Sequence, residues 1–167
     1  SSFLMSDYYK NIMANDVRKS TAITATGRNG KFLGGTTLDN KPLPADTEYF
    51  LRLAEVYLIQ AEAIVRSGGS FAEARNAVNV IRKRAGMPDI TVDTKAELLE
   101  AIRMEKIYEL GAESGEEWFD MIRYAIEGDI NIELIKSTIK SEAQYIMPIP
   151  LNTIRTSKGL IKQNPGY

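Results

Sequence analysis

From residue 50 onward, apolar residues recur at spacings of three and four. Phe50, Leu53, Ala54, Tyr57, Leu58, Ala61, Ile64 and Val65 fall on one broad face of an α-helix. Thr47 stands where a cap is wanted and Gly68-Gly69 where a helix stops, so this pattern predicts a helix beginning near Glu48. A second stripe, Phe71, Ala74, Val78, Ile81 and Ala85, follows Ser70 as a cap and ends before Gly86 and Pro88. Lys83 and Arg84 lie in its last turn, where the helix dipole favours cations. The link between the two stripes is short, which predicts an antiparallel hairpin.

A third helix opens at Asp93-Thr94, with Glu97 in the capping-box position, and carries Leu98, Leu99, Ile102, Ile107 and Leu110. Ser114-Gly115 interrupts it. Trp118, Phe119, Met121, Ile122, Tyr124 and Ala125 then supply another turn or two before Gly128. Residues 131–140 fit either a short helix or an extended segment. Tyr145 to Pro150 reads as extended, because two prolines forbid a helix interior. Residues 151–167 show no strong periodicity.

The start of the chain is patterned differently. Asp7 to Lys19 fits a short helix. Ser20 to Thr37 is rich in Thr and Gly, with Gly27, Gly30, Gly34 and Gly35, and Asp39-Asn40-Lys41-Pro42-Leu43-Pro44 reads as turn and loop around a short strand or hairpin. The expected organisation is an irregular, partly helical segment over 1–47 and a helical domain over 48–167. Ser1-Ser2 is an unusual start, and an upstream portion is expected.

Composition removes several function classes. The 167 residues carry no Cys and no His, so disulfides, thiolate nucleophiles, Cys/His zinc sites and His-based triads are excluded. A net charge of −1 gives no basic footprint for nucleic acid. No apolar run approaches the ~20 residues of a membrane span, and no signal peptide is visible.

Small residues at the first helical crossing, Ala54, Ala61, Ala74 and Ala77, resemble a tetratricopeptide-type pair, without a clean 34-residue repeat. A more specific resemblance comes from motifs in order. Residues 50–58, Phe-Leu-Arg-Leu-Ala-Glu-Val-Tyr-Leu, with Gln60-Ala61-Glu62-Ala63, are similar to the "LRLAEVYLxxAEA" helix of the SusD-like (SusD/RagB) family. Ala77 to Gly86 resembles its "LNxIRxRAG" helix end, Leu98 to Leu110 its "LLxAIxxERxxEL", and Trp118 to Arg123 its "WxDLxR". Pro148-Ile149-Pro150 and Gln163-Asn164-Pro165-Gly166-Tyr167 match its "PIP" and closing "QNPGY". Two departures stand out: Ser114-Gly115-Glu116-Glu117 replaces the usual Glu-Gly-x-Arg, and Glu105-Lys106 the usual Glu-Arg. The charge network at that turn is therefore expected to be wired differently.

The resemblance implies a mainly α fold of tetratricopeptide-like helix pairs with long irregular connections, the C-terminal portion of a longer protein. It implies a non-catalytic, surface-exposed, lipid-anchored outer-membrane protein that binds a nutrient, usually a glycan. The partner would be a SusC-like TonB-dependent outer-membrane transporter, with the lipid anchor on the N-terminal part. It implies no cofactor, no metal and no catalytic residue, and the ligand-facing aromatics of the family mostly lie outside this stretch. Two other classes remain: a helical-repeat scaffold for protein partners and a helical glycoside hydrolase.

Glu105, Glu109 and Glu113 lie four apart on one helical face and offer either a carboxylate pair for glycoside hydrolysis or salt bridges to Arg82, Arg84 or Arg52 that fix packing; the second is expected. Trp118 either stacks on a sugar or anchors the core with Phe119 and Met121, and the core role is expected. Tyr8-Tyr9 and the Gly27 to Gly35 stretch either border a ligand site or form an exposed loop; the glycine pattern matches no phosphate-cradling loop. Arg52 and Glu55 are expected to pair structurally. The terminal Asn164 to Tyr167 segment is expected to tie back onto the helical stack.

Overall fold

The computed structural model describes residues 4–32, 35–36, 42–43, 50–113 and 115–167. The chain divides into two compact units, Ser1–Phe119 and Asp120–Tyr167. The first contains α1 (Asp7–Ile12), α2 (Lys19–Ala22), the two-residue strands β1 (Gly35–Thr36) and β2 (Pro42–Leu43), then α3 (Leu53–Arg66), α4 (Phe71–Arg84) and α5 (Lys95–Leu110). α6 (Glu116–Ile126) follows, and α7 (Ile132–Ile135) and α8 (Leu151–Thr156) belong to the second unit. The strands pair antiparallel, with Gly35 opposite Leu43 and Thr36 opposite Pro42. The fold is mainly α.

The α3–α4 hairpin forms as its pattern requires. Ser70 accepts a hydrogen bond from the Glu73 backbone N–H at 3.3 Å, capping α4. Both helices end in the same six-residue wrap: Gly69 N–H donates to Ile64 O (2.8 Å) and Met87 N–H to Arg82 O (2.8 Å). That wrap needs a left-handed residue just past each helix, and Gly68 (φ 78°) and Gly86 (φ 72°) occupy those places. α3 packs against both α4 and α5. Ala54, Leu58, Ala61 and Val65 of α3, Ala74, Ala77, Val78 and Ile81 of α4, and Leu98, Leu99, Ile102 and Leu110 of α5 are all buried. The alanines let backbones approach, and the branched residues fill the space between them.

The connection from α4 to α5 is tied down side chain by side chain. Asn79 brackets Ile90, accepting from its N–H at 2.8 Å and donating to its C=O at 3.3 Å. Arg82 donates to Pro88 O at 2.6 Å and Arg75 to Val92 O at 3.0 Å.

Several expectations need correction. α3 begins at Leu53, not near residue 48; Thr47 itself lies outside the described residues. Arg52 is extended (φ −123°, ψ 152°) because its guanidinium is drawn to carboxylates on α5, so Phe50 and Leu51 stay off the helix and Phe50 is 91% exposed. The buried face of α3 is also narrower than its apolar stripe: Leu53 is exposed, while Glu55 and Glu62 are buried. At α5, Glu97 turns its carboxylate to the Thr94 hydroxyl (2.7 Å) while Thr94 caps the Glu97 N–H. Gly34, residues 37–41, Pro44 and Ser114 lie outside the described residues.

In the second unit, Asn131 caps the single turn of α7 by accepting from Glu133 N–H at 3.0 Å. Tyr145 closes a 3-10 turn over Glu142–Tyr145, and the extended stretch starts after it. The tail is not structureless, since α8 occupies Leu151–Thr156. The closing motif has a defined job here. The Gln163 side chain brackets Ile149 through its N–H (2.8 Å) and C=O (2.9 Å), and Asn164 Nδ2 donates to Met147 O at 2.7 Å. The side chains of Gln163 and Asn164 thus hold residues 147–149, and the Tyr167 hydroxyl lies 3.5 Å from Gln144 O in the same unit.

Candidate functional site

The densest concentration of chemistry in the first unit lies along the last two turns of α5. Glu105 is fully buried and Glu109 nearly so. Glutamates here face the negative end of the helix dipole, which disfavours them. Cations drawn from four other segments offset that penalty. Arg18 reaches Glu105 (2.7 Å) and Glu109 (3.1 Å), Arg82 reaches Glu105 (2.8 Å), and Arg84 pairs with Glu109. Arg52 spans Glu109 (3.0 Å) and Glu113 (2.7 Å), and Lys31 holds Glu113 at 2.7 Å. Arg18 also grips Asp16 through Nε and Nη2, at 2.8 and 2.7 Å, and lies 5.5 Å from the centre of the Tyr108 ring. A second buried pair, Lys106 with Glu62 at 3.4 Å, joins α5 to α3, and Glu62 also holds Arg66.

The same segments cap the helix. α5 does not end in the glycine wrap of α3 and α4: Gly111 takes φ −54°, ψ 136° and Ala112 is left-handed (φ 63°). Its last carbonyls find side chains instead. Glu109 O accepts from Lys31 Nζ (2.7 Å) and Arg52 Nη2 (2.9 Å), Ala112 O from Asn29 Nδ2 (2.8 Å), and Gly111 O lies 3.5 Å from the Tyr9 hydroxyl. Tyr9 packs so closely that a Cβ on Gly111 would stand 2.6 Å from its ring and 2.4 Å from Ile107 O. With Met13 and Ala22, Tyr9 forms a small core that seats the N-terminal segment against Ile107 and Tyr108.

Electrostatics follow from this crowding. Burial alone would raise Glu109, but Arg52, Arg84 and Arg18 together pull it below its usual range. Asp16 behaves alike: burial opposes ionisation and the Arg18 fork overrides it. Burial raises Tyr9 to about 12, helped by the charges of Glu117 and Glu113. Lys31 is lowered by burial despite its bond to Glu113.

The expected partners Arg52, Arg82 and Arg84 therefore all reach the carboxylate row. A glycosidase acid must keep its proton near neutral pH; Glu109 is displaced in the opposite direction. Tyr9 is core, whereas Tyr8 is half exposed, and residues 27–32 are docked on α5 rather than forming a free loop. Trp118 is half-buried near the start of α6, but Phe119 is 64% exposed, so the motif does not pack as a block. The departure at Glu117 has a local use: its carboxylate accepts from Ala112 N–H at 3.4 Å, supporting the left-handed turn. Arg18, Lys31 and Asn29 were not legible in the sequence, because their partners on and beyond α5 stand far away along the chain; the Asp16–Arg18 spacing was the one local hint.

Two open grooves lie on the described surface. One, of about 450 Å³, lies at the α3–α4 turn beside Arg66, Phe71, Arg75 and Lys95. The other, about 580 Å³ and mostly polar, lies in the second unit among Asn131, Glu133, Lys140, Glu142 and Tyr145.

Among solved structures, the chain is similar to a SusD-like protein from Bacteroides fragilis NCTC 9343, with 31% identity and a TM-score of 0.53, covering 70% of this chain and 25% of that one. It thus spans about a quarter of that protein's length. No curated protein matches it. The sequence model of the SusD family matches residues 7–132, from α1 to the first residue of α7, including the N-terminal segment where the motifs alone gave no resemblance. With the α3–α5 stack, its small-residue seam and its motifs in order, this chain belongs to the SusD family.

Proposed function

We propose that this chain is part of a non-catalytic, surface-exposed nutrient-binding protein of the outer membrane, with a glycan as the ligand class. It would be held by an N-terminal lipid and work beside a SusC-like TonB-dependent barrel transporter. The observation that carries this reading is the family match over residues 7–132. The geometry supports it from the chemical side. The acidic row of Glu105, Glu109 and Glu113 is held in guanidinium and ammonium pairs, an arrangement that stiffens a scaffold.

The test is a glycan array on the full-length protein, followed by calorimetry and a turnover assay on each hit. The expected outcome is binding of an oligosaccharide that is recovered intact, and co-purification with a barrel transporter from the outer membrane. Shortened product would favour the hydrolase reading. No glycan bound, with a soluble protein partner recovered instead, would favour the scaffold reading.

A further inference from the structure

The chain contains one Asn-Gly dipeptide, Asn29-Gly30. Such a pair is chemically labile, because glycine lacks the Cβ that would shield its backbone nitrogen from the asparagine side chain. The nitrogen of Gly30 attacks Cγ of Asn29, the Cγ–Nδ2 bond breaks, and ammonia leaves with the displaced proton. Water then opens the cyclic imide at either carbonyl, giving an aspartate or an isoaspartate. No oxidant or cofactor is needed.

In the fold, both reacting groups are engaged. Gly30 N–H donates to Ala22 O at 2.9 Å. Asn29 Nδ2 donates to Ala112 O at 2.8 Å, and its Oδ1 accepts from Lys31 N–H at 2.9 Å. Gly30 is also wedged against α2, where a Cβ would stand 2.3 Å from Thr21 O. We infer that Asn29 is a deamidation site locked by docking of the N-terminal segment on the end of α5, so that its reaction rate reports how often that segment lifts away.

The product redocks less firmly. A carboxylate at position 29 has no proton to give Ala112 O, and it would stand near Glu109 and Glu113 at the negative end of α5. Each modified molecule therefore holds its N-terminal segment less tightly, and because ammonia has left the lesion is one-way.

Peptide mapping of the chain incubated at mildly alkaline pH tests this. Deamidation at Asn29 should be at least about tenfold slower in the folded chain than in guanidinium, the factor set by local opening. Gly111→Ala, which displaces Tyr9, and the milder Lys31→Met should each raise the folded-state rate toward the unfolded one, with helicity retained in the second. N29D should expose residues 4–32 to protease while α3–α5 stay protected. Equal folded and unfolded rates, or protection unmoved by Lys31→Met, would overturn the lock.

Discussion

A buried charge on α5 is stable only through its partners. Glu105 has no exposed side-chain surface and divides its two oxygens between Arg18 and Arg82. Replacing it by Gln leaves two guanidinium groups facing a neutral amide in a site closed to water. Removing one member of a buried pair costs about 3–5 kcal/mol, and Glu105→Gln should lower the urea midpoint accordingly. Arg84→Ala, whose side chain is 58% exposed, should cost far less. The other sensitive residue is Gly111. Its Cβ-free face admits the Tyr9 ring, so Gly111→Ala forces overpacking worth about 1–3 kcal/mol, measurable as a lowered thermal midpoint.

At the scale of elements, α4 and α5 differ in how they are closed, and that difference is testable. α4 is capped by local chemistry at both ends, Ser70 in front and the Gly86 wrap behind. Ser70→Ala should cost about 0.5–2 kcal/mol, with hydrogen exchange accelerated mainly at the amides of its first turn. The C-terminal end of α5 depends on Lys31, Arg52, Asn29 and Tyr9 from other segments. Loss of any of these should therefore loosen the end of α5 while leaving the α3–α4 hairpin protected.

For the whole chain, the ionic cluster sets how stability depends on pH. Asp16 and Glu109 have folded values below their ordinary 3.8 and 4.5. Their contribution is complete above those ordinary values and is lost as pH falls through the lowered ones, because the unfolded chain takes up protons first. Tyr9 has the opposite sign: raised from 10.0 to about 12, it contributes fully below pH 10 and is lost as pH rises through about 12. The urea midpoint at fixed ionic strength should fall on both sides of a neutral plateau. Lys31, lowered by burial, opposes the alkaline loss. Tyr9→Phe isolates it: that variant should keep the acid limb and lose part of the alkaline one.

The helices α3, α4 and α5, with the Ser70 and Thr94 caps and the Gly68 and Gly86 stops, were legible in the sequence because each is a local code. Hydrophobic period, cap and left-handed glycine all act within a turn or two of where they are written. Motif order likewise carried the family, which needs no knowledge of contacts. The true start of α3, the exposure of Phe119 and the short helix α8 were not legible, since each depends on what the rest of the chain draws away or leaves uncovered. The α5 cluster was legible only in part: helix spacing pointed to the Arg52, Arg82 and Arg84 pairs, but not to those with Arg18 and Lys31 or to the depth of burial. Glu105 and Lys106 look solvent-facing in a pattern of apolar and polar positions, yet they are 0% and 6% exposed. Only the tertiary structure decided that, because burying a charge depends on a counter-charge, and nothing near Glu105 in the sequence announces Arg18, 87 residues away.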